Sequence, residues 1–139
     1  MSRSVVRIRV HVVWATKHRR PWLAADVRLR VVPVLAGIMK RRECRPIEIG
    51  GWFDHLHVYV ELSPDVAVAP LVVCLKANSA RWIKTHIPTL PDFEWQRGFW
   101  AQSVDPRDDA NLRDYIRTQE QIHAHRTPLA PSEMRGLTR

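Results

Sequence analysis

The chain has 139 residues, 45% of them hydrophobic and 26% charged, which describes one ordinary domain and excludes a disordered, collagen-like or repeat sequence. No apolar run reaches the length of a membrane span, residues 1–13 lack a signal-peptide core, and Cys44 and Cys74 are too few for a disulfide framework or a cysteine zinc site. A cytoplasmic protein with two core thiols is the expectation. The net charge of +8 is polarised: residues 1–45 hold 12 basic and 2 acidic residues, whereas residues 46–139 hold 10 and 12. Such a field suits a polyanion, and nucleic acid is the favoured partner.

Residues 5–14 (VVRIRVHVVW) alternate Arg7, Arg9 and His11 with Val6, Ile8, Val10 and Val12, the period of a strand with one polar face. A basic loop at 16–21 leads into a helical stretch at 22–42, where Val27, Val31, Val34, Leu35, Ile38 and Met39 recur at three- and four-residue spacing and Pro33 predicts a kink. Residues 46–52 (PIEIGGW) read as a short strand. Residues 55–62 (HLHVYVEL) alternate throughout, with Leu56, Val58, Val60 and Leu62 on one face and His55, His57, Tyr59 and Glu61 on the other. The spacing then predicts a helix over 66–86, a proline-punctuated loop over 87–96, a strand over 98–104 and a last helix over 108–125 with an acidic first turn. The order β-α-β-β-α-β-α is that of an α+β, ferredoxin-like fold, an antiparallel sheet with helices on one face plus a C-terminal helix. One domain is expected over 1–126 and a tail over 127–139.

His55 and His57 lie two apart on a strand, so they share one face at a spacing that suits a single divalent ion. A bare pair of this kind equally describes two histidines on an exposed sheet face. Asp54 is either a carboxylate that orients an imidazole or a turn residue. On the last helix Tyr115 and Gln119 are four apart and stack on one face, but beside Leu112 and Ile116 they also fit an ordinary amphipathic boundary. Trp14 and Trp22, beside Lys17, Arg19 and Arg20, are either stacking planes for bases or core residues.

Five segments in order resemble a known family: HVVWATK at 11–17 with Arg19, Arg20 and Pro21, DHLHV at 54–58, LKANSARWI at 75–83, WQRGF at 95–99 and YIRTQ at 115–119. The likeness is to the TnpA-type single-tyrosine transposases of the smallest bacterial insertion sequences (the insertion-sequence-200-like family). These are HUH endonucleases, named for histidine-hydrophobe-histidine, and they include the REP-associated tyrosine transposases. Pro33 and the stretch Trp100-Ala101-Gln102 depart from the family pattern. The resemblance implies that His55 and His57 bind a divalent cation, Mg²⁺ or Mn²⁺, with Gln119 as third metal ligand, and that Tyr115 is the nucleophile. Lys76, Ser79, Arg81 and Trp82 match a recurrent helix segment with a role in phosphate contact or core packing. His123 and His125 match no ligand position and are expected at the surface. The resemblance further implies single-stranded DNA with a hairpin as substrate, the bacterial cytoplasm as location, and a homodimer in which the tyrosine helix completes the partner's metal site.

The residues suit that chemistry. Two imidazoles and a carboxamide oxygen leave a cation open positions for phosphate oxygens, where it acts as Lewis acid and template. Tyrosine, with a free pKa of about 10, is a poor nucleophile that needs such polarisation and in-line placement. Its attack leaves a 5′-phosphotyrosine and a 3′-hydroxyl that can reverse the reaction on a new strand. Lys17, Arg19, Arg20, Lys76 and Arg81 are the expected nucleic-acid contacts. The alternatives are a non-catalytic or domesticated single-stranded nucleic-acid-binding module of the same fold, or a metal-dependent phosphodiesterase that uses water. The first leaves His55, His57, Tyr115 and Gln119 without a role.

Overall fold

A computed structural model describes residues 4–124. The alternating stretches form four strands, β1 (Ile8–Ala15), β2 (Arg45–Trp52), β3 (His55–Leu62) and β4 (Trp100–Ser103). They make one sheet in the order β2-β3-β1-β4, every neighbouring pair antiparallel. Helix α1 (Ala25–Arg41) links β1 to β2, and α2 (Val68–His86) links β3 to β4, so the expected ferredoxin-like plan is the one observed.

The period-2 pattern sends Val10, Val12 and Trp14 of β1 and Leu56, Val58, Val60 and Leu62 of β3 to one face, where they are buried with Val31, Leu35 and Met39 of α1 and Leu71, Leu75 and Ile83 of α2. Each large aliphatic side chain removed from water contributes roughly 1.5–3 kcal/mol, so this layer supports the sheet whatever happens on the other side. Trp14 belongs to it, fully buried and edge-on to Trp95 at 5.8 Å between ring centroids. That leaves Trp22, half-buried against Phe93, as the tryptophan nearer the basic loop. Helix α1 runs through Pro33 without a break. The proline sits on the exposed side of the helix. Cys44 is buried and Cys74 half-buried, both as free thiols.

The expected single helix over 108–125 is instead two. A 3₁₀ turn (Pro106–Asp108) leads into α3 (Asp109–Arg117), and α4 (Gln119–Ala124) begins after Thr118. The Thr118 hydroxyl and amide both donate to the Asp114 carbonyl, at 2.8 and 3.0 Å. Residue 125 and the expected tail over 127–139 lie outside the described residues. Among the described residues no helix is long and apolar enough to cross a membrane.

Helices α3 and α4 lie on the face opposite the core. The register pairs Gly50 with His57 and Trp52 with His55, and cross-strand partners share a face. A Cβ on Gly50 would stand 2.6 Å from the Ile116 carbonyl oxygen and 3.0 Å from its Cγ2, so the missing side chain is what lets α3 rest on β2. Two polar clasps hold its ends. The Tyr59 hydroxyl donates to Asp109 at 2.7 Å with Arg9 joining at 3.1 Å, and Arg117 donates to Glu48 at 2.9 Å. Gly50→Ala is expected to lift α3 from β2, costing about 1–3 kcal/mol as overpacking does, with amide exchange in α3 and α4 accelerating before that in β1 and β3. Unchanged exchange in α3 would show that the close approach is dispensable.

Candidate metal and tyrosine site

Alternation along β3 turns His55 and His57 away from the apolar core, as expected, but they are not on an open face: both are 0% exposed beneath α3 and α4. Their rings meet edge-to-face at 5.0 Å. His55 Nδ1 lies 2.8 Å from Asp54 Oδ1, while the other Asp54 oxygen accepts from Arg19 Nε at 3.0 Å. Asp54 is therefore an orienting carboxylate as well as a turn residue. Burial alone would raise its pKa; the hydrogen bonds from His55 and Arg19 overcome that and hold it at about 2. His57 Nδ1 lies 2.9 Å from His11 Nε2, with the two rings stacked at 5.1 Å. Burial, reinforced by the neighbouring imidazoles, keeps His57 well below the ordinary histidine range, and burial brings His11 down to about 4. Neutral imidazole is the state in which histidine ligates metals.

Gln119, 1% exposed, brings its Oε1 to 3.2 Å from His55 Nε2. His55 Nδ1 faces the Asp54 carboxylate, so with its hydrogen on that nitrogen the ring would offer its Nε2 lone pair to a cation on the Gln119 side. An imidazole nitrogen and a carboxamide oxygen 3.2 Å apart are two groups that could serve one cation. Among the described residues no three His, Cys, Asp or Glu side chains form a cluster that could hold a metal ion. Tyr115 is half-buried one turn before Gln119, its ring edge-on to His57 at 5.5 Å. The residues expected at the centre of the chemistry are thus side by side, and in this single chain Tyr115 and Gln119 lie against the chain's own histidines.

The expected nucleic-acid contacts fall into two groups. Lys17, Arg19 and Arg20 are exposed on the loop after β1. Lys17 pairs with Glu94 at 2.6 Å, Arg19 with Asp54, and Arg20 lies over the Trp22 ring at 5.3 Å. His18 and Arg19 hold φ near +56° and +55°, a left-handed conformation that costs energy in residues with a Cβ and marks a loop constrained by its surroundings. The His18 amide donates to Gln96 Oε1 at 3.1 Å. Adjoining clefts of about 480 and 530 Å³ open here, lined by Lys17, Arg20 and, unforeseen in the sequence, Lys84 and Arg97. Arg81 is also exposed, on α2. Lys76 is different: its ammonium donates to the carbonyls of Gln96 and Gly98 at 2.6 and 2.8 Å, which makes it a tie for the 96–98 loop. Burial lowers its pKa. Ser79 likewise accepts from the Trp95 indole at 3.0 Å and serves packing.

Two residues at the centre had no assigned role in the sequence. His11 had a signal in the polar face of β1, but its meeting with His57 needs the β1–β3 register. His123, expected at the surface, is half-buried, 3.0 Å from Gln119 Oε1 and stacked on Trp52 at 5.5 Å. Its signal was the four-residue spacing 115, 119, 123.

Residues 4–119 match the family described as "Transposase IS200 like". The chain is 26% identical over 120 residues to the ISDra2 transposase TnpA of Deinococcus radiodurans, covering 83% of this chain and 86% of that one. It is 27% identical over 115 residues to the transposase for insertion sequence element IS200 of Salmonella typhimurium, covering 78% and 74%. Its fold is shared by a crystal structure from Deinococcus radiodurans R1 (TM-score 0.70, 23% identity, 86% of this chain and 98% of that one). A REP-associated tyrosine transposase bound to a REP hairpin is also similar in fold (TM-score 0.65, 17% identity, 88% and 73%). With the match covering most of its length, this chain belongs to the IS200-like transposase family.

Proposed function

We propose that this transposase cleaves and rejoins single-stranded DNA near hairpins through a 5′-phosphotyrosine on Tyr115, with a divalent cation, Mg²⁺ or Mn²⁺, held by His55, His57 and Gln119. The observation that carries the reading is the meeting of Gln119 Oε1 with His55 Nε2 one turn from a tyrosine edge-on to His57. When bound, the cation polarises the scissile phosphate and orients it. Asp54 and His11 set the two imidazoles through their Nδ1 atoms, and α3 presents the Tyr115 hydroxyl for in-line attack. The phosphorus–3′-oxygen bond breaks as the phosphorus–tyrosine bond forms, and the phenolic proton ends on the released 3′-hydroxyl. The strand is then resealed by the reverse attack. Two ends need two tyrosines, which a homodimer supplies. In that dimer the α3–α4 unit, hinged after β4 at Pro106, exchanges between protomers, because the Gly50 notch, Glu48 and Tyr59 of either chain accept the same helix.

The test is incubation with end-labelled hairpin-bearing single-stranded DNA and Mg²⁺ or Mn²⁺, followed by denaturing electrophoresis. A covalent protein–DNA band that disappears with chelator is expected. Cleavage without a band would favour a hydrolytic phosphodiesterase, and binding with neither would favour the non-catalytic module.

Affinity for this DNA should fall steeply with salt. Arg20→Ala is expected to reduce the salt slope by about one, as losing one phosphate contact does. Lys76→Met should leave the slope unchanged, since that ammonium is committed to the carbonyls of the 96–98 loop. Equal slopes for wild type and Arg20→Ala would remove Arg20 from the interface.

A further inference from the structure

We infer that His123 is a positioning residue of the metal centre, holding the Gln119 carboxamide with its oxygen toward His55. This rests on the proposed metal site and adds a residue to it. Gln119 Nε2 lies 3.0 Å from the Tyr115 carbonyl oxygen. That oxygen only accepts, so the amide NH₂ is at this end and Oε1 is at the other. Oε1 is 3.0 Å from His123 Nε2. A carboxamide oxygen likewise only accepts, so the hydrogen between them belongs to His123, and a nitrogen that carries it has no lone pair for a metal. His123 therefore orients a ligand rather than acting as one.

The ring is itself held. It stacks on Trp52 with planes 22° apart and meets His55 edge-on at 4.9 Å. Trp52 ends β2 in register with His55, so the support comes from the strand pair that carries the histidines. The physical need arises from glutamine. Its last torsion is broad and nearly two-fold, and its oxygen and nitrogen ends have almost the same shape. A flipped carboxamide would aim a donor at the gap where a cation needs a lone pair. The His123 N–H favours one of the two orientations, and the Tyr115 carbonyl favours the same one from the opposite end.

The experiment measures Mn²⁺ affinity of the full chain without DNA, by calorimetry, and counts coordinated imidazoles by nitrogen-coupled electron spin echo. His123→Phe keeps a ring for Trp52 and removes the donor; it is expected to weaken Mn²⁺ binding 10- to 100-fold, the usual effect of losing a residue behind a ligand. His123→Gln, whose amide N–H reaches the place of Nε2–H, should restore most of that loss. Wild type should show two coordinated imidazoles. Should His123→Phe fail to fold, His123→Asn, too short to reach Oε1, makes the same comparison with His123→Gln. Equal affinity in wild type and the donorless variant overturns the inference, as does failure of His123→Gln to recover affinity. A third coordinated imidazole would make His123 a ligand and also overturn it. Mn²⁺ binding that survives His55→Ala with His57→Ala, or is absent from wild type, would overturn the metal site itself and this inference with it.

Discussion

Tyr115→Phe is expected to retain fold, metal binding and DNA binding while losing the covalent adduct and strand cleavage, a fall of at least about 10³-fold, as removal of an enzyme nucleophile produces. The substitution deletes one oxygen from a half-buried ring and keeps its edge-on packing on His57. The Tyr115 carbonyl, which receives the Gln119 amide, belongs to the backbone and is untouched. A melting curve run beside the cleavage assay separates any change in stability from the loss of chemistry. Persistence of the adduct in this variant would move the nucleophile elsewhere. The histidines do not permit so clean a deletion. His55 and His57 are fully buried, and His55→Ala would leave a cavity beside Asp54, at a cost of about 1–3 kcal/mol. Loss of metal affinity in histidine variants has to be read beside a melting curve.

Mixing a Tyr115→Phe chain with a His55→Ala, His57→Ala chain is expected to restore cleavage from two inactive parents. Exchange of α3–α4 between protomers brings the intact tyrosine and Gln119 of the second chain onto the intact histidines of the first. One working site per heterodimer results. The exchanged helix docks on the partner as it does on its own chain, with Ile116 on Gly50, Asp109 at Tyr59 and Arg117 at Glu48, so the swap has little cost beyond bringing the protomers together. If the helix stays as the single chain holds it, every protomer keeps one lesion. Verified heterodimers with no cleavage would then establish completion within one chain and leave the chemistry intact.

Strand periodicity made much of the fold legible. Residues 55–62 alternate so regularly that the core face and the histidine face of β3 follow from a two-residue repeat, and the buried positions of α1 follow from a three- and four-residue repeat. The paired histidines, Tyr115 and Gln119 were likewise visible as local spacings. What escaped depended on partners distant in sequence. Burial of His55 and His57 depends on α3 docking, which in turn depends on Gly50 lacking a Cβ 66 residues before Ile116. Lys76 reads as a phosphate-binding cation by type, and only the carbonyls of Gln96 and Gly98 closing over it make it structural. Local order in a chain is set by propensity and periodicity, which are properties of neighbouring residues. The pairing of His11 with His57 and the stacking of His123 on Trp52 are set by which surfaces the folded sheet and helices bring into contact, and no short window of sequence contains that information.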